Sequence, residues 1–398
     1  MQLSENALKL KQSATFAVNT KRIEMQRQGY DVVNFGVGEP DFDTPDFIKA
    51  AAVEAMEKGQ TKYTAIAGMP ALRQAIADKL KRDNGLCYAP SQIVVANGAR
   101  QAIANGITAL VNPGDEALII SPAWFSYQQL VLINGGVPVL VPVKREDDYL
   151  PTREVLESKV TEKSKLLILT TPSNPTGRIM GRETLEMLAD FAISHDLYVI
   201  SDEVYEKIVL DQDVQHISIA SLGEEIYKRT IVVNGLSKSH AMTGWRMGYS
   251  ASSEQLAKVM TNIQNHYTAG INTMTQVASI TALNGSEDCV KTMVDEFRKR
   301  RDYIYERICR IPGLYAVKPQ GAFYLFIDIT ELIHRKHKGK VIKNALDFAA
   351  ALLEEKAVAV VACDDFGIEN HVRASYATDM ENLKKGADRI EEFVREME

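Results

Sequence analysis

Short apolar runs alternate with helix-period segments through the middle of the chain. The runs at 92–96 (QIVVA), 117–121 (ALIIS), 136–143, 165–170 (KLLILT), 197–201 (LYVIS) and 230–233 (TIVV) are rich in β-branched residues and flanked by Gly, Pro, Asn or Asp. They are short, which favours buried strands over buried helices. Helical patterns fill 98–110, 182–195 and 220–228. Alternation of this kind predicts a mostly parallel sheet with helices on both faces. From about residue 287 the texture changes. A long charged amphipathic stretch (VKTMVDEFRKRRDYIYERI) precedes strand-like segments near 322–327 and 371–376 and a charged helix at 380–398. The pattern predicts a large domain over 47–286 and a smaller α+β domain over 287–398. Nothing in the composition before Pro45 decides which of the two parts that segment joins.

Composition narrows the function classes. Hydrophobic residues are 45% and charged residues 25% of the 398, ordinary usage for a globular protein. A net charge of −6 with no basic block argues against a protein held to nucleic acid by phosphate contacts. Cys87, Cys289, Cys309 and Cys363 contain no CxxC pair, so a disulfide frame or zinc site is not expected, and no metal is. The start MQLSENALKLKQ lacks the apolar core of a secretory signal, and no apolar run is long enough for a membrane span. A cytoplasmic location is the expectation.

No Walker A sequence, GxSxG elbow or HExxH is present, and Gly36-Val-Gly38-Glu-Pro-Asp41 breaks a dinucleotide fingerprint with Pro40 and Asp41. Three other segments share a design. Thr171-Pro-Ser-Asn174-Pro-Thr-Gly177, Ser201-Asp202-Glu203-Val-Tyr205 and Asn234-Gly-Leu-Ser237-Lys238 each follow an apolar run. Each places polar side chains just past a strand's carboxyl end, where open α/β sheets bind ligands. Singly they read as a turn, a helix cap and a solvated lysine. Together they collect an amide, a carboxylate, a phenol and an amine at one rim.

That combination suits pyridoxal 5'-phosphate. The cofactor needs a lysine able to form a Schiff base and a carboxylate on its ring nitrogen. It also needs hydrogen bonds to its ring hydroxyl and an anion site. Lys238, Asp202, Tyr205 with Asn174, and Arg246 could supply these. The segment Gly98-Ala99-Arg100 opens a helix whose free N–H groups suit a phosphate. Trp124, in SPAWFSY, could stack on the ring.

These segments resemble the fold-type I pyridoxal-phosphate enzymes, and among them the class I/II aminotransferases of the bacterial aspartate aminotransferase branch, subgroup I-gamma. The resemblance rests on FGVGEPDFDTP, KYTAIAGMPALR, SPAWFSY, PSNPTG, SDEVYE, NGLSKSHAMTGWRMGY, GAFY and HVRASYA, which run the length of the chain. It implies a mostly parallel seven-stranded sheet between helices plus a smaller α+β domain. It also implies that residues 1–46 form an N-terminal arm and part of the small domain, and that the protein is a homodimer with shared active sites.

Residue by residue, the resemblance makes Lys238 the Schiff-base lysine and proton shuttle and Asp202 the partner of the ring nitrogen. Arg246 and the N–H groups of Ala99 and Arg100 would bind the phosphate, with Tyr63 reaching the neighbouring subunit's phosphate. Relatives carry a serine where Gly235 stands, and Ser237 would compensate. Arg373 would grip the substrate α-carboxylate, with the Gly38 backbone closing over it. The substrate's distal carboxylate would meet Arg100, in place of the usual lysine, with Ser13 and Thr15 and with Lys11 close by. The implied reaction moves the amino group of L-aspartate, or a related amino acid, to 2-oxoglutarate by a ping-pong mechanism. A broad aromatic or alanine-type aminotransferase is the alternative, followed by a C–S β-lyase.

Overall fold

The computed structural model describes residues 3, 5–11 and 15–398. Its centre is a seven-stranded sheet built from β1 (Ile93–Asn97), β2 (Glu116–Ser121), β3 (Val137–Pro142), β4 (Ser164–Thr170), β5 (Tyr198–Asp202), β6 (Thr230–Gly235) and β7 (Met247–Ala251). The spatial order is β1-β7-β6-β5-β4-β2-β3. Only β7 runs against its two neighbours, β1 and β6. The other pairings are parallel.

Successive strand residues face opposite sides of a sheet, and the core follows that alternation. Leu166 and Ile168 pack with Ile103 and Ile107 of the helix Ala99–Leu110. Leu167 and Leu169, one position on, pack with Leu185, Leu188 and Phe191 of the helix Arg182–Ser194. Both faces are therefore dry, which is why these strands read as unbroken apolar runs.

A second sheet, all antiparallel, orders Val361–Ala362, His371–Ser375, Tyr324–Asp328 and Tyr315–Ala316. The helices Asp288–Cys309, Ala345–Lys356 and Met380–Arg395 share one apolar cluster with it. Val33–Asn34 pairs in parallel with Val358–Ala359, so the early segment joins this C-terminal layer. Among the described residues no helix is long and apolar enough to cross a membrane.

One expectation needs correction, and one strand was not expected. The helix expected over 220–228 is a short 3-10 turn, Ile219–Leu222, then a helix, Glu224–Arg229, parted at Gly223 with φ 151°. A helix cannot continue through that backbone angle. The strand Met247–Ala251 lacks an apolar run of its own (MGYSA) and shows no strand signal in sequence, yet every residue in it is buried. Gly248 faces Gly235 in the ladder, and small residues are what that close approach needs.

Candidate active site

Six strands of the central sheet run the same way, so their carboxyl ends share one edge. Trp124 follows β2, Asn174 follows β4, Asp202 ends β5 with Tyr205 just beyond, and Ser237 and Lys238 follow β6. Because β7 runs in reverse, the residue before it, Arg246, returns to the same edge. The C-terminal sheet adds Arg373, and the loop after Val33–Asn34 adds Gly38. All of these, with Ala99 and Arg100, line one cavity of about 800 Å³.

Lys238 is half-buried and its amine donates to the Gly38 carbonyl. Burial pushes that amine down to about 8, with Arg373 and Arg246 adding to the shift and Glu39 and Asp202 opposing it. A lysine so placed is far richer in free amine near neutral pH than a solvated one. Asp202 is buried, and burial pushes its carboxyl up to about 6 against hydrogen bonds from Tyr127 and the Val204 N–H.

One end of the cavity is built from backbone. The first turn of the helix Ala99–Leu110 leaves the Ala99 and Arg100 N–H groups without intrahelical acceptors. Gly98 caps it at φ 78°, where a Cβ would come 2.6 Å from Arg246 Nη2. A Cβ on Gly248 would come 2.2 Å from the Ala99 nitrogen. Only glycine lets β7, the helix start and the guanidinium close up in this way. Arg246 itself has φ 57°, a strained angle of the kind that clusters at functional sites, and its Nη1 donates to the Thr243 carbonyl at 3.0 Å. Among the described residues it has no carboxylate partner. Gly235 admits no larger side chain, since a Cβ would lie 2.7 Å from the Met247 carbonyl oxygen.

Arg373 is buried, donates from Nη1 to Asn174 Oδ1 at 2.8 Å, and holds its Nε without a partner. Its guanidinium carbon lies 4.2 Å from the Tyr324 ring centroid, and Tyr324 shares a 2.8 Å hydroxyl contact with Tyr205. A buried guanidinium partnered only by neutral oxygens suits an incoming carboxylate. Arg100 sits over the Trp124 ring at 4.7 Å, and burial, then the Arg246 charge, lower its pKa.

Not every expected residue reaches the cavity. Tyr63 is 99% exposed and stands outside the cavity of its own chain. Lys11 is exposed, its backbone N–H donating to Gln129 Oε1 at 3.0 Å. Ser13 lies outside the described residues, and Thr15 opens the helix Thr15–Arg27. Further along that helix, Phe16, Asn19 and Arg22 line the cavity mouth. Sequence reasoning missed these, as it missed Tyr127 and Tyr324. Tyr127 lies in SPAWFSY and Tyr324 in GAFY, so proximity to recognised motifs was the available signal.

Comparison with known proteins follows the same lines. Residues 30–390 match the family aminotransferase class I and II. An aspartate aminotransferase of Bacillus sp. (strain YM-2) is 42% identical over 393 residues, 99% of each chain. The crystal structure of an aspartate aminotransferase from Rhizobium meliloti superposes with a TM-score of 0.96 at 37% identity, covering 100% of both chains. The aspartate aminotransferase from Thermus thermophilus with maleate gives 0.92 at 39% identity, covering 99% of this chain and 100% of that one. A seven-stranded mixed sheet, a lysine at its carboxyl edge and similarity over the full length agree: the chain belongs to the aminotransferase class I and II family.

Proposed function

We propose that this protein is a pyridoxal-phosphate-dependent aspartate aminotransferase, moving the amino group of L-aspartate to 2-oxoglutarate in two half-reactions. The observation that carries the reading is one cavity holding a lysine of lowered pKa, a buried carboxylate, an N–H and guanidinium cradle, and a second guanidinium free of carboxylates. Full-length relatives named aspartate aminotransferases support it.

Pyridoxal phosphate, when bound, supplies a carbonyl for the amine and a ring that withdraws electrons from the substrate Cα. The residues present fit it. Arg246 with the Ala99 and Arg100 N–H groups would hold the phosphate, Ser237 standing beside them. Asp202 would hold the ring nitrogen, Tyr205 and Asn174 the ring oxygen, and Trp124 the ring face. Lys238 Nζ would anchor the cofactor until the substrate amine takes its place, and the freed amine would then take the proton from the substrate Cα and return it on the other side of the transfer. Arg373, backed by Tyr324 and Asn174, would orient the α-carboxylate, with the Gly38 backbone near the Lys238 amine. Arg100 would meet the distal carboxylate, with Ser13 and Thr15 of the arm. Maleate, which accompanies the Thermus thermophilus aspartate aminotransferase, is a dicarboxylate, which favours the acidic substrate class.

Tyr63, turned away from its own cavity, would complete the phosphate site of a second copy, making the enzyme a homodimer. The division into an arm, a large domain and a small domain belongs to the same proposal, as does a cytoplasmic location.

Absorbance of the purified protein loaded with pyridoxal phosphate tests the function. L-Aspartate should shift the cofactor band while L-alanine and L-phenylalanine leave it. A shift with all three would move the assignment to the broad-specificity aminotransferase. No cofactor band after loading would overturn the function.

A further inference from the structure

The helix Ser126–Ile133 carries Tyr127 to the underside of the cavity. Its ring meets Trp124 edge-on, with centroids 5.4 Å apart at 88°. Its hydroxyl lies 2.6 Å from Asp202 Oδ2 and 2.7 Å from Thr170 Oγ1. A phenol has one proton to give, and an ionised carboxylate only accepts. The phenol proton therefore goes to Asp202, and the Thr170 hydroxyl donates to the phenol oxygen. Thr170 and Asp202 are register partners across the parallel β4–β5 ladder, which holds both ends of this relay in place. The other carboxylate oxygen, Oδ1, has a longer bond, 3.3 Å, from the Val204 N–H.

We propose that Tyr127 is the positioning residue for Asp202: its donated hydrogen bond orients the carboxylate and favours its charged form, ready for a cationic ring nitrogen. The role of the ring nitrogen rests on the proposed function; the hydrogen-bond relay does not. The other groups facing Asp202 do not duplicate Tyr127. Glu203, next along, points to the opposite side, where the Ser201 and Ser218 hydroxyls and His216 hold it. Its charge raises the Asp202 carboxyl, as burial does. Lys238 lowers it, as a smaller influence than Tyr127. Tyr205 faces Asp202 too, but its hydroxyl is engaged with Tyr324. Burial pushes the Tyr127 phenol well above its ordinary range, so it remains a donor at every working pH.

Tyr127→Phe keeps the ring and its Trp124 contact and removes only the hydroxyl. The first readout is the Asp202 carboxyl titration in the full-length apo protein, by carbon-13 NMR of aspartate-labelled samples. The midpoint, near 6 in the parent, should rise by about one unit in Y127F, and in the same direction by less in Thr170→Val. The second is pyridoxal-phosphate affinity by tryptophan fluorescence, which should weaken about tenfold at neutral pH in Y127F, the scale of one hydrogen bond to a charged group. In an Asp202→Asn background, Y127F should change affinity no further. An unmoved Asp202 midpoint overturns the proposal. An equal affinity loss in the Asp202→Asn background also overturns it, because the hydroxyl would then support only the fold. Failure of the parent itself to bind pyridoxal phosphate overturns the proposed function, and the NMR titration still decides the role of Tyr127.

Discussion

Arg373 Nη1 donates to Asn174 Oδ1 at 2.8 Å, a bond between residues 199 positions apart that ties the C-terminal sheet to the loop after β4. It fixes one blade of a guanidinium fork that has no carboxylate of its own among the described residues. Arg373→Lys keeps the charge but loses the fork. With charge-assisted hydrogen bonds contributing about 1.5–3 kcal/mol, kcat/KM should fall by ~10–100-fold for every amino-acid substrate alike. Asn174→Ala should do the same to a smaller degree. Steady-state kinetics with aspartate and alanine check this; an effect confined to aspartate would assign Arg373 to the side chain instead.

Arg100 stands over Trp124 without a carboxylate partner among the described residues. Arg100→Ala should raise the KM for aspartate by ~10–100-fold, the scale of one charge-assisted contact, and change that for alanine little. Equal effects on both substrates would remove Arg100 from side-chain recognition.

Asp202 gives a pH signature in the apo protein. Its folded pKa, about 6, lies above the ordinary 3.8. The folded state therefore holds a proton that the unfolded chain has already released, and stability from this group is lost as pH rises through about 6. Asp202→Asn should make the apo protein more stable at neutral pH by up to about 3 kcal/mol. The gain should vanish below about pH 4. Denaturant unfolding at several pH values measures it, and a pH-independent difference would show that Asp202 is not held above its ordinary range.

Gly248→Ala places a methyl 2.2 Å from the Ala99 nitrogen and 2.4 Å from the Gly98 carbonyl carbon, both backbone atoms. Overpacking of this kind costs about 1–3 kcal/mol. It should also displace the helix start proposed to cradle the phosphate. A lower melting temperature and weaker inorganic phosphate binding are the expected outcome. Gly244→Ala, in the same loop, has open space around its Cβ and should be neutral in both.

The amino-acid sequence carried the strands and helices of the large sheet because each is a local pattern. β-Branched apolar runs such as KLLILT and LYVIS cannot be soluble loops, and buried parallel strands are where such runs belong. Lys238, Asp202 and Asn174 were legible for the same reason: each sits at a fixed short offset from such a run, while Arg246 was legible from its place eight residues after Lys238 among glycines. The strand Met247–Ala251 was not legible, because its burial comes from Gly248 facing Gly235 across the ladder and not from its own composition.

Tertiary structure alone decided the relationships that tune those groups. Tyr127 meets Asp202 from 75 positions away, and Arg373 meets Asn174 from 199. Val33 joins the C-terminal layer by pairing with Val358. Local sequence sets which residues are polar, where a strand ends and what must be buried. Strand order and helix packing then choose which polar atoms share a low-dielectric cavity, and that choice raises the Asp202 carboxyl and lowers the Lys238 amine from their ordinary ranges.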